Sequence, residues 1–181
     1  MKLHIDSVAY SAKPKEHISI IKPRLQSENT IVEVSIEELI TAIEKGYSIS
    51  PALMRGGAKA ENWTEQQLFM VDIDNDKTDA DFLTEAEALF ICQENNIRPA
   101  FYYHSFSHSK DKPKFRLCFV MNDVITDTQT RALIINTLIH LFPQSDTSCK
   151  NADRLFFGTN KQAIICDIGA TISFESILNT I

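Results

Sequence analysis

The sequence predicts an α+β domain, a mixed or antiparallel sheet with helices packed on it. Two observations carry this reading. From Leu68 onward, apolar runs of strand length alternate with two long stretches of helical period, in the order β-α-β-β-α-β. The 181 residues are 44% apolar and 23% charged with only five Gly and six Pro, so one sizeable core is available and a long disordered linker is not. One domain is expected over 1–181, with 1–60 as an N-terminal α/β part and 61–181 as the sheet-and-helix core.

Each element has a local reason. The first thirty residues read as mixed strand and loop, with HISII (17–21) a short strand candidate. SIEELITAIEKGYS (35–48) is the clearest helix: Ser35 and Glu38 make a capping box, Ile36, Leu39, Ile40 and Ile43 share a face, and Gly46 stands where a C-terminal cap would. RGGAKAENW (55–63) is a loop. QLFMVDID (67–74) is a buried strand whose end reaches a surface. DADFLTEAEALFICQENN (79–96) is a helix begun near Thr78 or Asp79 and stopped by the Asn pair. IRPAFYYHSF (97–106) and KFRLCFVM (114–121) are strands joined by a basic turn around Pro113. TDTQTRALIINTLIHLF (126–142) is a second long helix, capped by Thr126 or Asp127 and stopped by Pro143. A polar loop (146–160) leads to a short strand, AIICDI (163–168), and FESILNTI (174–181) begins a last helix. The order is that of an RRM-like (ferredoxin-like) fold with an N-terminal α/β extension.

Several classes are excluded early. The opening MKLHIDSVAY lacks the apolar core of a signal peptide, and ALIINTLIHLF is broken by Asn136, Thr137 and His140, so no membrane association is expected. Cys92, Cys118, Cys149 and Cys166 form no CxxC pair, which removes zinc-site spacing and points to reduced thiols in a cytoplasmic protein. A net charge of −6 argues against a general nucleic-acid coat protein, although HSKDKPKFR (108–116) concentrates Lys110, Lys112, Lys114 and Arg116. By itself that run reads more readily as a solvated basic turn.

The chemistry centres on LFMVDIDND (68–76). Side chains alternate along a strand, so Asp72 and Asp74 share a face one pleat apart, and two carboxylates that close repel each other. Divalent cations with oxygen ligands, Mg²⁺ or Mn²⁺, resolve that repulsion. A strand end running into a turn with all its acids in water is the other reading, which the apolar LFMV weakens. Asp76 lies beyond the pair, in the turn. Two metals about 4 Å apart require a further carboxylate. Asp146 and Asp153 both qualify, Asp146 being better anchored because it follows the end of an element. His108 sits among Ser105, Ser107, Ser109 and the cations, a set suited to gripping a triphosphate, and Arg116 is within reach of the same phosphates.

Together VDID, SFSH…KFR and SDTS…DRLFFG, spread over roughly Leu53 to Asn160, resemble the archaeo-eukaryotic primase (AEP) superfamily, in particular the primase–polymerases of plasmids, phages and other mobile elements. The resemblance implies an RRM-like primase catalytic core. It also implies a metal-dependent nucleotidyltransferase (DNA primase or primase–polymerase) that adds NTPs or dNTPs on a single-stranded DNA template during replication. Asp72 and Asp74 look like the motif I metal ligands and Asp146 like the motif III ligand, together holding two Mg²⁺ or Mn²⁺ ions. His108 looks like the motif II histidine at the nucleotide phosphates, with Ser107, Lys112, Arg116 and Arg154 as further nucleotide contacts. The family places a small residue two positions before that histidine, where this chain has Phe106, so His104 stays open as the alternative. The zinc-binding element of cellular primases is missing, which suits the mobile-element branch, and a replicative helicase domain or protein is an implied partner. Two rival functions remain open at this level. One is a metal-dependent nuclease or phosphohydrolase. The other is a non-enzymatic RRM-like module that stacks single strands on Phe101, Tyr102 and Tyr103.

Overall fold

Two antiparallel sheets share one apolar core in the computed structural model, which describes residues 1–76 and 82–180. The smaller sheet has the order β2-β1-β3, from β1 (Lys2–Ala9), β2 (Ile31–Glu33) and β3 (Tyr47–Ser50). The larger has the order β4-β5-β7-β6-β8, from β4 (Ala52–Met54), β5 (Trp63–Ile73), β6 (Phe101–His104), β7 (Phe115–Ile125) and β8 (Ile164–Ile165). The helices are α1 (Ile18–Leu25), α2 (Ile36–Glu44), α3 (Glu85–Glu94), α4 (Thr128–Leu141) and α5 (Phe174–Leu178).

The α+β expectation holds, and so does the β-α-β-β-α-β order. The neighbours β5-β7-β6 are those of a ferredoxin-like sheet, with the hairpin strand β7 lying between the two strands that α3 connects. The outer places differ from that scheme. β4, from the N-terminal part, lies against β5, and β8 pairs with β6 at the opposite edge. The first sixty residues therefore complete the sheet that carries the acids.

Local chemistry explains most boundaries. In α2 the Glu38 N–H donates to Ser35 Oγ (3.2 Å) and the Ser35 N–H to the Glu38 carboxylate (2.8 Å), the expected capping box. Leu39, Ile40 and Ile43 enter the core. Gly46 follows with φ +89°, and a Cβ there would lie 1.9 Å from the Tyr10 carbonyl oxygen, so only glycine fits. Asp127 caps α4 by accepting the Thr130 N–H at 2.6 Å. The central strands β5 and β7 are apolar and buried along most of their length, and they pair in a register running from Leu68↔Val120 to Ile73↔Phe115.

Two expectations are corrected. Residues 17–21 are not a strand: His17 caps α1, and Ile21 and Leu25, one turn apart, bury themselves against Leu155. Five residues are too few to separate a period of 2 from one of 3.6. The helix expected from Thr78 or Asp79 has its proposed start outside the described residues, and α3 begins at Glu85. Thr84 caps it with a second capping box to Glu87, and the Leu83 N–H just before it is taken by the Asn75 side chain.

Candidate active site

The ends of β5 and β7 form a ladder of opposite charges. Their register puts Asp72 opposite Arg116, and just past the paired residues ion pairs join Asp74 to Lys114 and Asp76 to Lys112 and Lys114. The D-x-D-x-D that runs off the end of one strand thus meets the K-x-K-x-R that leads into its neighbour. Arg116 Nε donates to Asp72 at 3.1 Å, Lys114 Nζ lies 3.3 Å from Asp74 and 3.0 Å from Asp76, and Lys112 also pairs with Asp76.

Asp146 arrives from the other side. After α4 the chain folds back so that Ser145 bridges to Ile73, and the Asp146 N–H donates to the Asp72 carbonyl at 2.8 Å. Its side chain caps the short 3₁₀ turn Thr147–Lys150, accepting the Ser148 N–H (2.8 Å) and hydroxyl (2.7 Å) as well as Arg154 Nη2 (2.8 Å). The Cys149 thiol, one turn on, accepts the Asp72 N–H at 3.4 Å. As a result Asp72, Asp74 and Asp146 bring carboxylate oxygens within 4.8 Å of one another. Asp153 stands apart, paired with Lys22.

Four acids and four cations meet here: Asp72, Asp74, Asp76 and Asp146 with Lys112, Lys114, Arg116 and Arg154. They are not evenly matched. Burial and then the neighbouring Asp72 push the Asp74 carboxyl up, against the pull of Lys114. Lys112 and Lys114 hold Asp76 down. Burial opposes the charge of Asp146, but the Ser148 bonds and Arg154 outweigh it and leave its pKa below the ordinary value. Burial likewise opposes the Arg116 charge, and Asp72 and Tyr103 more than restore it. Asp74 is therefore the least compensated acid. The three convergent acids are hard oxygen donors without a thiol or imidazole among them, a set that fits Mg²⁺ or Mn²⁺.

A cavity of ≈ 210 Å³ opens beside them, with Asp72, Asp74, Ser105, Ser107, Lys114, Arg116 and Arg154 in its wall. Ser105 Oγ and Arg154 Nε, of two residues in this wall, are buried and have no hydrogen-bond partner among the described residues, so hydrogen-bonding capacity is left unused here. Asp146 lines a second depression of ≈ 240 Å³ with Asp74 and Asp76. Of the expected nucleotide contacts, Ser107, Arg116 and Arg154 share the first cavity, while Lys112 is engaged with Asp76 and neither it nor His108 is in the wall. His108 packs against His104 with the rings tilted by 35° and their centroids 3.8 Å apart, and its Nδ1 accepts the Lys114 N–H at 3.2 Å. That bond places the proton of the neutral ring on Nε2. Burial, with His104 alongside, keeps its pKa below the usual value. His104 Nε2 is bonded to Glu85 at 2.7 Å.

Lys114 and Glu85 are site residues that sequence reasoning did not single out. The signal for Lys114 was present in the matched alternation of DxDxD and KxKxR, which becomes readable once the two strands are paired. Of the aromatic platform, Phe101 and Tyr103 are fully buried and stack within the core, leaving only Tyr102 half-buried on the other face.

Fold and site together define an α+β domain carrying a convergent acidic triad at the mouth of a cation-lined cavity. Among solved structures, the AEP domain of the cyanophage S-2L primase–polymerase (PrimPol) shares this fold. The TM-score is 0.51 at 15% sequence identity, covering 83% of this chain and 78% of that one. No protein-family model and no curated protein matches the sequence.

Proposed function

We propose that the protein is a metal-dependent nucleotidyltransferase, a DNA primase or primase–polymerase that adds NTPs or dNTPs on a single-stranded DNA template during replication of a plasmid, phage or mobile element. One observation carries this reading: Asp72, Asp74 and Asp146 converge from two distant parts of the chain onto a cavity walled by cations, on the fold of a PrimPol AEP domain.

In this reading the three acids hold two Mg²⁺ or Mn²⁺ ions. When bound, such ions neutralise phosphate charge and make a hydroxyl a better nucleophile at neutral pH. Arg116, Arg154 and Lys114 bind the triphosphate, and Ser105 and Ser107 supply hydroxyls. His108 is fixed as a neutral donor and offers Nε2–H to a phosphate oxygen once a nucleotide extends toward it; His104, committed to Glu85, is less available for that role. Lys112 steadies Asp76 at the rim. A primer 3′-hydroxyl, or that of an initiating nucleotide, attacks the α-phosphorus, the new ester bond forms, pyrophosphate leaves and the hydroxyl proton passes to solvent. The chain's net charge of −6 limits its own hold on the template, so a helicase domain or protein is the partner proposed to supply grip. No described helix is long and apolar enough to cross a membrane, and a cytoplasmic setting is part of the proposal.

The test is a primed single strand incubated with Mn²⁺ and labelled dNTPs. Extension is expected, falling by about a hundredfold or more in Asp74→Asn and Asp146→Asn, with unchanged circular dichroism. Asn can still cap the turn at position 146. Strand shortening would favour the nuclease reading, and ion-independent binding without synthesis would favour the single-strand-binding one.

A further inference from the structure

Lys114 occupies an unusual place. Its side chain is only 14% exposed, and its ammonium bridges two acids, 3.3 Å from the Asp74 carboxylate and 3.0 Å from both oxygens of Asp76. Asp74 belongs to the convergent triad; Asp76 does not. The same ammonium lies in the wall of the cavity that holds Arg116 and Arg154. Its grip is therefore double on the acid outside the triad and single, and longer, on the acid inside it.

Resting on the metal-site reading above, we infer that Lys114 is the resident counter-ion of Asp74, that a divalent cation displaces it, and that Asp76 then retains it at the cavity wall to receive the triphosphate. Charge repulsion motivates this. The ammonium lies 3.3 Å from a carboxylate that the ion would also use, so ion and ammonium repel each other across Asp74 and one of them has to draw back. Arg116 is held by Asp72, by the Phe157 carbonyl and by ring faces of Tyr103 and Phe156. Arg154 is tied to Ser148 and Asp146. Lys114 has a flexible stem and a second acid two residues further along the chain, so it is the cation that moves without breaking the fold. A polyanionic triphosphate then replaces the carboxylate it has lost. Lys114 thereby couples the two ligands, competing with the first and assisting the second. Asp76 is a positioning residue that acts through Lys114.

The test uses Mn²⁺ alone, followed by the loss of free-ion electron paramagnetic resonance signal, on the full chain without nucleotide. Lys114→Gln is expected to tighten Mn²⁺ binding by about tenfold, and Lys114→Arg to stay near wild type. With Mn²⁺ saturating, a non-hydrolysable dNTP should bind Lys114→Gln about tenfold more weakly. Asp76→Asn should weaken Mn²⁺ binding several-fold in the wild-type background and much less in the Lys114→Gln background, because the tethered lysine is then gone. A general loss of packing would not tighten ion binding. Unchanged or weaker Mn²⁺ binding in Lys114→Gln, with binding still abolished by Asp74→Asn, overturns this inference and leaves the metal site standing. Absence of Mn²⁺ binding in both wild type and Lys114→Gln overturns both.

Discussion

Two clusters of partly buried charge lie in this molecule and follow opposite plans. Beside the smaller sheet, Arg24 grips the fully buried Asp6 with two parallel bonds of 2.8 Å, reaches Glu16 at 3.1 Å and donates to the Tyr10 hydroxyl at 2.7 Å. Tyr10 in turn donates to Glu16 at 2.6 Å. That cluster is closed. At the end of the larger sheet, most acid–cation contacts lie between 3.0 and 3.5 Å, Arg154 Nε has no partner among the described residues, and burial pushes the Asp74 carboxyl up. The first cluster spends its donors on the fold, while the second keeps groups free for something that binds. Counting ion pairs would not separate the two; geometry and leftover valence do.

Substitutions that move the two apart follow from this. The largest effect is the loss of nucleotide incorporation in Asp74→Asn, without loss of folding. Arg24→Met should do the reverse. It strands Asp6 in the interior and costs about 3 kcal/mol by urea denaturation, while the folded fraction keeps its specific activity. Asp72→Asn should fail in both respects. It removes a triad oxygen and leaves the buried Arg116 without its carboxylate, at a similar cost of about 3 kcal/mol. Equal melting points for Asp72→Asn and Asp74→Asn would break the comparison.

The smallest effects concern pH. Asp74 is raised by folding, so the stability it contributes is present in acid and lost as pH rises through its folded value. Asp74→Asn should consequently be slightly more stable than wild type at pH 7, and equal to it once acid has protonated Asp74. Asp146 and Asp76 run the other way. Held below the ordinary aspartate value of 3.8, they contribute stability above it that is lost as pH falls further. A pH series of thermal melts on wild type and Asp74→Asn reads both signs.

Much of this was legible in the chain. The Ser35/Glu38 box and the apolar face of α2 need no tertiary information, and LFMV followed by DxD already implied a buried strand delivering acids to a surface. For a third acid the sequence offers both Asp146 and Asp153; what brings Asp146 beside Asp72 and Asp74 is the backbone bridge from Ser145 to Ile73, which no local pattern encodes. α1 was invisible because its apolar residues find their partner in Leu155, far along the chain. The basic run looked like a solvated turn for the same reason. Its lysines acquire meaning only from the strand they face.

Cys149 has a consequence of its own. Its thiol holds the Asp72 N–H, lies 4% exposed under the turn that Asp146 begins, and is pushed by burial up to about 12. Only a thiolate alkylates readily, so the sulfur stays inert while that turn is seated and reacts when it lifts. The alkylation rate of Cys149 thus reports whatever opening, local or global, uncovers the end of β5, and it is readable without any substrate.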